Sequence, residues 1–321
     1  MKVLLLGGTE FFAPFIVDEL AARGHLPAVL SKSNHDFGDG VPRFAEDPRD
    51  ASAVLAAVTS WRPHALIDML HDTPEQARLT LEACRGRVER SLHLSSAVVY
   101  GPNPTCPIDE EADTLRADLA SPLASARIEA DEVILAAIAD GLPAAILRLP
   151  HLYGPRDPHC AEWFFAKRAL EGRTRIAVPD AGLHICHRGF VQNMAWGVVR
   201  ALTAARAPGQ VYNLGEEKLY TLAQLTRAVA RALDHGWDIY SVPGHLWRTP
   251  YDHTSFYDLR KARAHLRYRD RMIPRDGLEL TLAWLCQEPR GDDWSWPDID
   301  DPFDYERENA LIDEHGRKLD L

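Results

Sequence analysis

Three side chains in this sequence could move or hold a proton near neutral pH. His71 follows the apolar run Ala65–Met69, and His151 follows the apolar run Ala144–Leu149. An imidazole titrates near neutrality, so either could act as general acid or base. Either could equally be a hydrogen-bonded structural histidine. Ser96 ends the stretch Ser91-Leu92-His93-Leu94-Ser95-Ser96, and its hydroxyl could hydrogen-bond a reacting oxygen. A fourth group of interest is a glycine turn, Gly7-Gly8-Thr9-Glu10-Phe11-Phe12-Ala13-Pro14, directly after the apolar run Lys2–Leu6. A strand, a glycine turn and a helix start form the arrangement that holds a dinucleotide pyrophosphate. The helix N-terminus offers unpaired N–H groups and a partial positive charge. Glu10 works against that anion unless its carboxylate points away.

Two further clusters carry chemical potential. The second apolar run, Leu26–Leu30, leads into Ser31-Lys32-Ser33-Asn34. No acidic residue stands there to accept bonds from ribose hydroxyls. Lys32 with flanking hydroxyls suits a 2′-phosphate better, which favours NADP over NAD; a solvated surface lysine is the plainer alternative. Histidine and cysteine bunch at His159-Cys160 and His184-Ile185-Cys186-His187. Such ligands suit zinc, but the spacing matches no metal motif, so no metal site is expected.

The elements that position these residues read as an α/β fold. Short apolar runs alternate with stretches of helical period: Phe15–Arg23, Ala51–Val58, Glu75–Cys84 and Ser125–Ala139 lie between the strand runs. That alternation predicts a Rossmann-type, doubly wound parallel sheet with ligands at the carboxyl ends of its strands. After Pro150 the pattern turns mostly helical. The expected division is a dinucleotide-binding domain over 1–150 with about 188–214. A smaller, mostly helical substrate domain follows over 151–187 and 215–290. An acidic tail with interleaved aromatics occupies 291–321.

Of 321 residues, 46% are hydrophobic, ample for two domains. Of the formal charge of −11, the segment Asp292–Leu321 supplies −8 (11 acidic, 3 basic residues). A chain with this balance is not expected to bind nucleic acid, which needs clustered lysine and arginine. Five widely spaced cysteines without a CxxC pair predict free thiols in a reducing cytoplasm. No signal peptide and no 18-residue apolar run are present, so no membrane role is expected.

Four stretches add a resemblance. Ser95-Ser96-Ala97-Val98-Val99-Tyr100-Gly101 resembles Ser-Ser-x-x-Val-Tyr-Gly. Arg148-Leu149-Pro150-His151-Leu152-Tyr153-Gly154-Pro155 resembles Arg-Pro-x-Asn-x-Tyr-Gly-Pro. His187–Ala195 resembles Arg-Gly-Tyr-Val-Glu-Asn-Val-Ala, and Val211-Tyr212-Asn213-Leu214-Gly215 is a further match. These motifs belong to the extended short-chain dehydrogenase/reductases of the NAD-dependent epimerase/dehydratase type. The Gly-Gly-Thr turn is similar to that of their atypical subgroup. The resemblance covers about residues 1–285. It implies Ser96 as the serine that bonds the reacting oxygen and His151 at a substrate-contact position. It also implies Arg188 against a substrate anion, Asp47 against the adenine, and Gly7, Gly8, Thr9, Phe11 and Phe12 around the cofactor.

The chain departs from that family where the chemistry is done. A Tyr-x-x-x-Lys pair on the long helix should trade the proton, the lysine charge lowering the phenol's pKa. Aligned on Pro122, those positions hold Leu123 and Arg127. Leucine transfers no proton; arginine keeps a charge that can hold ribose hydroxyls but never serves as a base. The expected function is therefore an NADP- or NAD-binding enzyme that reduces, epimerises or dehydrates a polar, anionic metabolite. Its relay would use His151, His71, Ser96 or water, with Arg127 as the local cation. A non-redox isomerase, cyclase or lyase on the same scaffold is the second reading. A noncatalytic nucleotide-sensing or scaffold protein is the third. A homodimer is the candidate assembly.

Overall fold

The structure, a computed structural model, describes residues 1–8, 11–102, 105–116, 119–291 and 293–320. The strands are β1 (Lys2–Leu6), β2 (Leu26–Leu30), β3 (Arg43–Phe44), β4 (Ala65–Asp68), β5 (Arg90–Ser96), β6 (Ala144–Leu149), β7 (His151–Tyr153), β8 (Arg175–Pro179), β9 (Ile185–Cys186), β10 (Arg188–Phe190), β11 (Gln210–Asn213), β12 (Tyr220–Thr221), β13 (Asp238–Val242) and β14 (Arg317–Lys318). The helices are α1 (Ala13–Ala22), α2 (Ala51–Trp61), α3 (Pro74–Cys84), α4 (Pro122–Ala139), α5 (Trp163–Leu170), α6 (Val191–Thr203), α7 (Leu222–Ala232), α8 (Arg260–Leu266), α9 (Pro274–Gln287) and α10 (Tyr305–His315). No helix among the described residues is long and apolar enough to cross a membrane.

The chain forms two compact units. The first comprises Met1–His151, Val191–Gly215 and Tyr257–Arg271. Its seven strands pair in the order β11-β6-β5-β4-β1-β2-β3, all parallel. Val3–Leu6, Ala28–Leu30, Leu66–Ile67 and Ile146–Leu147 are fully buried, as a sheet covered on both faces requires. The strand order reverses between β1 and β4. That is the switch point where an α/β sheet opens a crevice for a ligand. Local chemistry starts the helices that frame it. Asp50 caps α2 by accepting from Ser52 N, Thr73 caps α3 ahead of Pro74, and Ser121 caps α4 ahead of Pro122.

The second unit comprises Leu152–Phe190, Glu216–Phe256 and Met272–Leu321. It is less exclusively helical than expected. Strand β13 pairs with β8 in parallel and with β14 antiparallel, making a small sheet beside helices α5, α7, α9 and α10. The expected boundaries are corrected in two places. Tyr257–Arg271 belongs to the first unit, because Asp258 N bonds Ile108 O and Tyr257 packs on Tyr100 and Val99. Residues 291–321 are not a mere tail. Strand β14 closes the small sheet, and Glu308 of α10 is buried against Arg168 of α5 at 3.1 Å. All five cysteines are free, with Cys84, Cys160 and Cys186 buried.

Asp157 gives this unit a pH signature. Its carboxyl is buried, and desolvation, helped by Glu162, pushes its pKa up to about 7. The folded form then holds a proton that the unfolded chain releases near pH 4. Stability from this group is present at low pH and lost as pH rises toward 7. Asp157→Asn keeps the neutral shape. It should therefore gain roughly 2–4 kcal/mol over wild type between pH 5 and 8. Urea unfolding across that range measures it; parallel stability curves for the two proteins would refute it.

Candidate active site

The β1–α1 turn is built for close approach. Gly7 and Gly8 have φ of +79° and +118°, conformations that L side chains avoid. A Cβ on Gly7 would lie 2.6 Å from Leu70 Cγ, across the switch point, and one on Gly8 would lie 2.6 Å from Ala13 Cβ. Ala13 is thus accommodated because Gly8 leaves room for it. Phe11 and Phe12 are buried, so their rings pack into the unit; only their backbone groups are suited to a cofactor. Thr9 and Glu10 lie outside the described residues.

Lys32 and Asp47, both expected to contact a cofactor, meet each other with Nζ and Oδ2 2.5 Å apart. The hydrogen bond from Lys32 holds the Asp47 carboxyl below its ordinary pKa. Arg43 adds a second cation nearby, donating to Ser33 O at 2.7 Å. A cavity of about 280 Å³ lies at the carboxyl end of β4, lined by Arg49, Leu70, Asp72, Thr73, Glu75 and Gln76 among others.

The loop after β4 and the helix α4 lock together through two consecutive contacts. Asp72 Oδ1 accepts from Arg127 at 2.7 Å, and His71 Nε2 lies 2.8 Å from Asp131 Oδ1. Arg127 and Asp131 sit one turn apart on α4, so adjacent loop residues meet adjacent turns. Asp131 also binds Arg148 Nε at 3.0 Å, and Arg148 donates to Tyr100 Oη, which donates to Asn213 Oδ1. Desolvation pushes the Asp131 pKa up, but the bond to His71 and the charge of Arg148 outweigh it and hold the carboxyl ionised. His71 has no solvent-exposed surface. Its ring faces the interior between sheet and helix, so the geometry makes it a structural histidine and removes it from the relay. Arg127 keeps its charge but spends it on Asp72.

Ser96 and His151 remain, at and just past the carboxyl ends of β5 and β6. Ser96 ends β5, and His151 opens β7 two residues after the neighbouring parallel strand β6 ends: Ser96 is in register with Leu149. Both are half-buried. Ser96 Oγ accepts from Val98 N at 3.2 Å, which caps the 3₁₀ turn Ala97–Tyr100 and leaves its proton available to an acceptor. Leu123, in the first turn of α4, is 55% exposed.

The sequence matches the NAD dependent epimerase/dehydratase family over residues 3–215.

The chain belongs to that family.

It is 31% identical over 264 residues to 2′-dehydrokanamycin reductase of Streptomyces kanamyceticus, covering 76% of this chain and 70% of that one. It is 25% identical over 248 residues to the chloroplast stem-loop binding protein of 41 kDa b of Arabidopsis thaliana, covering 72% of this chain and 63% of that protein. Among solved structures it superposes on UDP-glucose 4-epimerase of Thermus thermophilus, determined with NAD. The TM-score is 0.71 at 26% identity, covering 89% and 99% of the two chains. The epimerase/dehydratase family thus places the chain among NAD(P)-binding enzymes of small-molecule metabolism with a Rossmann fold.

Within the second unit, the family's expected anion-binding arginine is sealed off. Arg188 is buried, bonds Glu162 Oε1 at 2.6 Å and lies 4.1 Å over the Tyr153 ring. Tyr251 donates to the same Glu162 oxygen, and Tyr153 to Glu216. Full burial and the Glu162 pair hold the guanidinium away from solvent, with Nε and Nη2 making no hydrogen bond among the described residues. Lys218, Arg227, Arg231 and Arg275 line a cavity of about 590 Å³ at α7 and α9, with Glu279 in the same lining and Arg275 paired to Asp276. Sequence reasoning missed Asp72, Asp131 and Glu162. The one available signal was spacing, since Asp131 follows Arg127 by one helical turn.

Proposed function

We propose that this chain converts a polar, anionic small molecule in an NAD(P)-dependent reaction in which His151 and Ser96 do the proton work. A bound nicotinamide supplies the hydride acceptor or donor. Ser96 hydrogen-bonds the reacting oxygen, and His151 takes the hydroxyl proton as a carbonyl forms and returns it in the reverse step. The observation that carries this reading is the position of His151 two residues after β6, whose last residue is in register with Ser96 at the end of β5, while His71 is locked to Asp131. A non-redox isomerase or lyase is the second reading. It draws on the Arg127–Asp72 ion pair, which occupies the cation expected at the ribose.

Native mass spectrometry of the freshly purified chain tests the proposal. A co-purified dinucleotide, or binding of NADP or NAD on titration, supports it. No binding of either would transfer the weight to the second reading.

Cofactor choice rests on Lys32. Its pair with Asp47 is largely exposed, and such pairs contribute about 0–1 kcal/mol, so a 2′-phosphate can displace the carboxylate. Lys32→Ala should weaken NADP by about tenfold and leave NAD nearly unchanged. Asp47→Asn, which releases Lys32, should tighten NADP. Tighter NAD than NADP in wild type would sink this preference.

A further inference from the structure

We infer that Asp68, His71 and His93 form a buried site for one divalent transition ion, of the zinc type, in the first unit. Strands β4 and β5 place Asp68 directly beside His93 in register, and the loop after β4 brings back His71. One ligand atom from each lies within 4.8 Å of the others, and all three residues are fully buried.

The argument rests on what the remaining atoms do. Asp68 Oδ1 accepts from Leu70 N at 2.9 Å, His71 Nε2 is bound to Asp131, and His93 Nε2 is 3.1 Å from Ser91 Oγ. The three leftover atoms, Asp68 Oδ2, His71 Nδ1 and His93 Nδ1, make no hydrogen bond. His93 Nδ1 and Asp68 Oδ2 approach to 3.4 Å without the alignment of one. Proton placement alone does not repair this. With Nε2–H of His71 donated to Asp131, its Nδ1 lone pair faces inward with no donor. If His93 Nδ1–H turned to Asp68, that lone pair would still be stranded. Asp68 is also a buried carboxylate that no lysine or arginine pairs with among the described residues, whereas Asp131 has Arg148. Buried charge and stranded lone pairs are costly unless compensated.

A cation satisfies all three atoms at once. Two imidazole nitrogens and one carboxylate oxygen suit zinc and its neighbours. The outer contacts also fit: metal-bound histidines hand their other N–H to a carboxylate, carbonyl or hydroxyl, as His71 does to Asp131 and His93 can to Ser91. Ligands of a tetrahedral zinc lie about 3.4 Å apart, so binding would draw the cluster together by roughly an ångström. Full burial makes the site structural, tying β4, β5 and α4 together. It is separate from His151 and Ser96 and stands whether or not the proposed reaction does.

The test uses the full chain purified without chelator. Elemental analysis should find about one equivalent of metal per chain, falling below about a tenth in Asp68→Asn and His93→Asn. The control His184→Ala, in the histidine–cysteine bunch, should keep it. Cobalt substitution of the wild type should give the visible bands of a tetrahedral nitrogen/oxygen site with no thiolate charge-transfer band. That spectrum decides the matter if the variants do not fold. The inference is overturned by a metal-free chain that takes up no zinc on refolding, by metal retained in folded Asp68→Asn, or by a thiolate band.

Discussion

His151→Ala should lower kcat by about 10²–10⁴-fold on any substrate the enzyme turns over, the usual cost of losing a general acid or base. The role proposed for the imidazole, acting on the reacting oxygen, would put the change on kcat more than on KM. The placement behind this is specific. Leu123, in the first turn of α4, offers no group that transfers a proton, and His71 is held by Asp131 away from solvent. Of the two histidines that follow β4 and β6, His151 is half-buried and His71 has no exposed surface. His151→Gln should stay impaired, since an amide hydrogen-bonds but does not transfer a proton at neutral pH. Steady-state kinetics on wild type and both variants, with NADP or NAD, measure this. A kcat within about threefold of wild type in both would place the relay elsewhere and favour the non-redox reading.

Glu308→Ala should cost about 3–5 kcal/mol of stability, the range for leaving one member of a buried ion pair without its partner. Arg168 is fully buried. Its Nε lies 3.1 Å from Glu308 Oε2, and its other nitrogens donate to Phe164 O and Pro302 O at 2.6 and 2.7 Å. The guanidinium also stacks 3.8 Å from the Phe164 ring centre. The second Glu308 oxygen accepts from Ala177 N at 2.9 Å, so the substitution strands a backbone donor of β8 as well as a charge. Desolvation already lowers the Arg168 pKa, and Glu308 is its main counterweight. Glu308→Gln keeps the shape and one acceptor and should lose less. Urea unfolding with hydrogen exchange at Ala177 reads both effects. A loss under about 1 kcal/mol for the alanine variant would show that residues 291–320 are a dispensable wrapping.

The regular elements that frame the first unit could be read from the chain because their causes are local. Uninterrupted apolar runs such as Val3–Leu6 and Ala144–Leu147 make strands buried on both faces, and Ser121-Pro122 or Thr73-Pro74 start helices wherever they fall. Gly7 and Gly8 likewise declare a turn that tolerates no Cβ. Strands β8 and β13 escaped notice because five residues with charged flanks carry too little pattern, and only pairing makes them strands. Helix α10 reads as an acidic tail until Arg168 gives Glu308 a reason to be buried.

The site divides in the same way. Residue type marks Lys32 and His71 as chemically able, and the family resemblance marks Arg127 and Arg188. The fold gives every one a carboxylate: Asp47, Asp131, Asp72 and Glu162. For the last three the partner lies 60, 55 and 26 residues away. Which residue types could do chemistry is a property of the sequence. Which of them are left to do it depends on long-range neighbours, because a charge taken out of water must be paired and the chain alone does not say by whom.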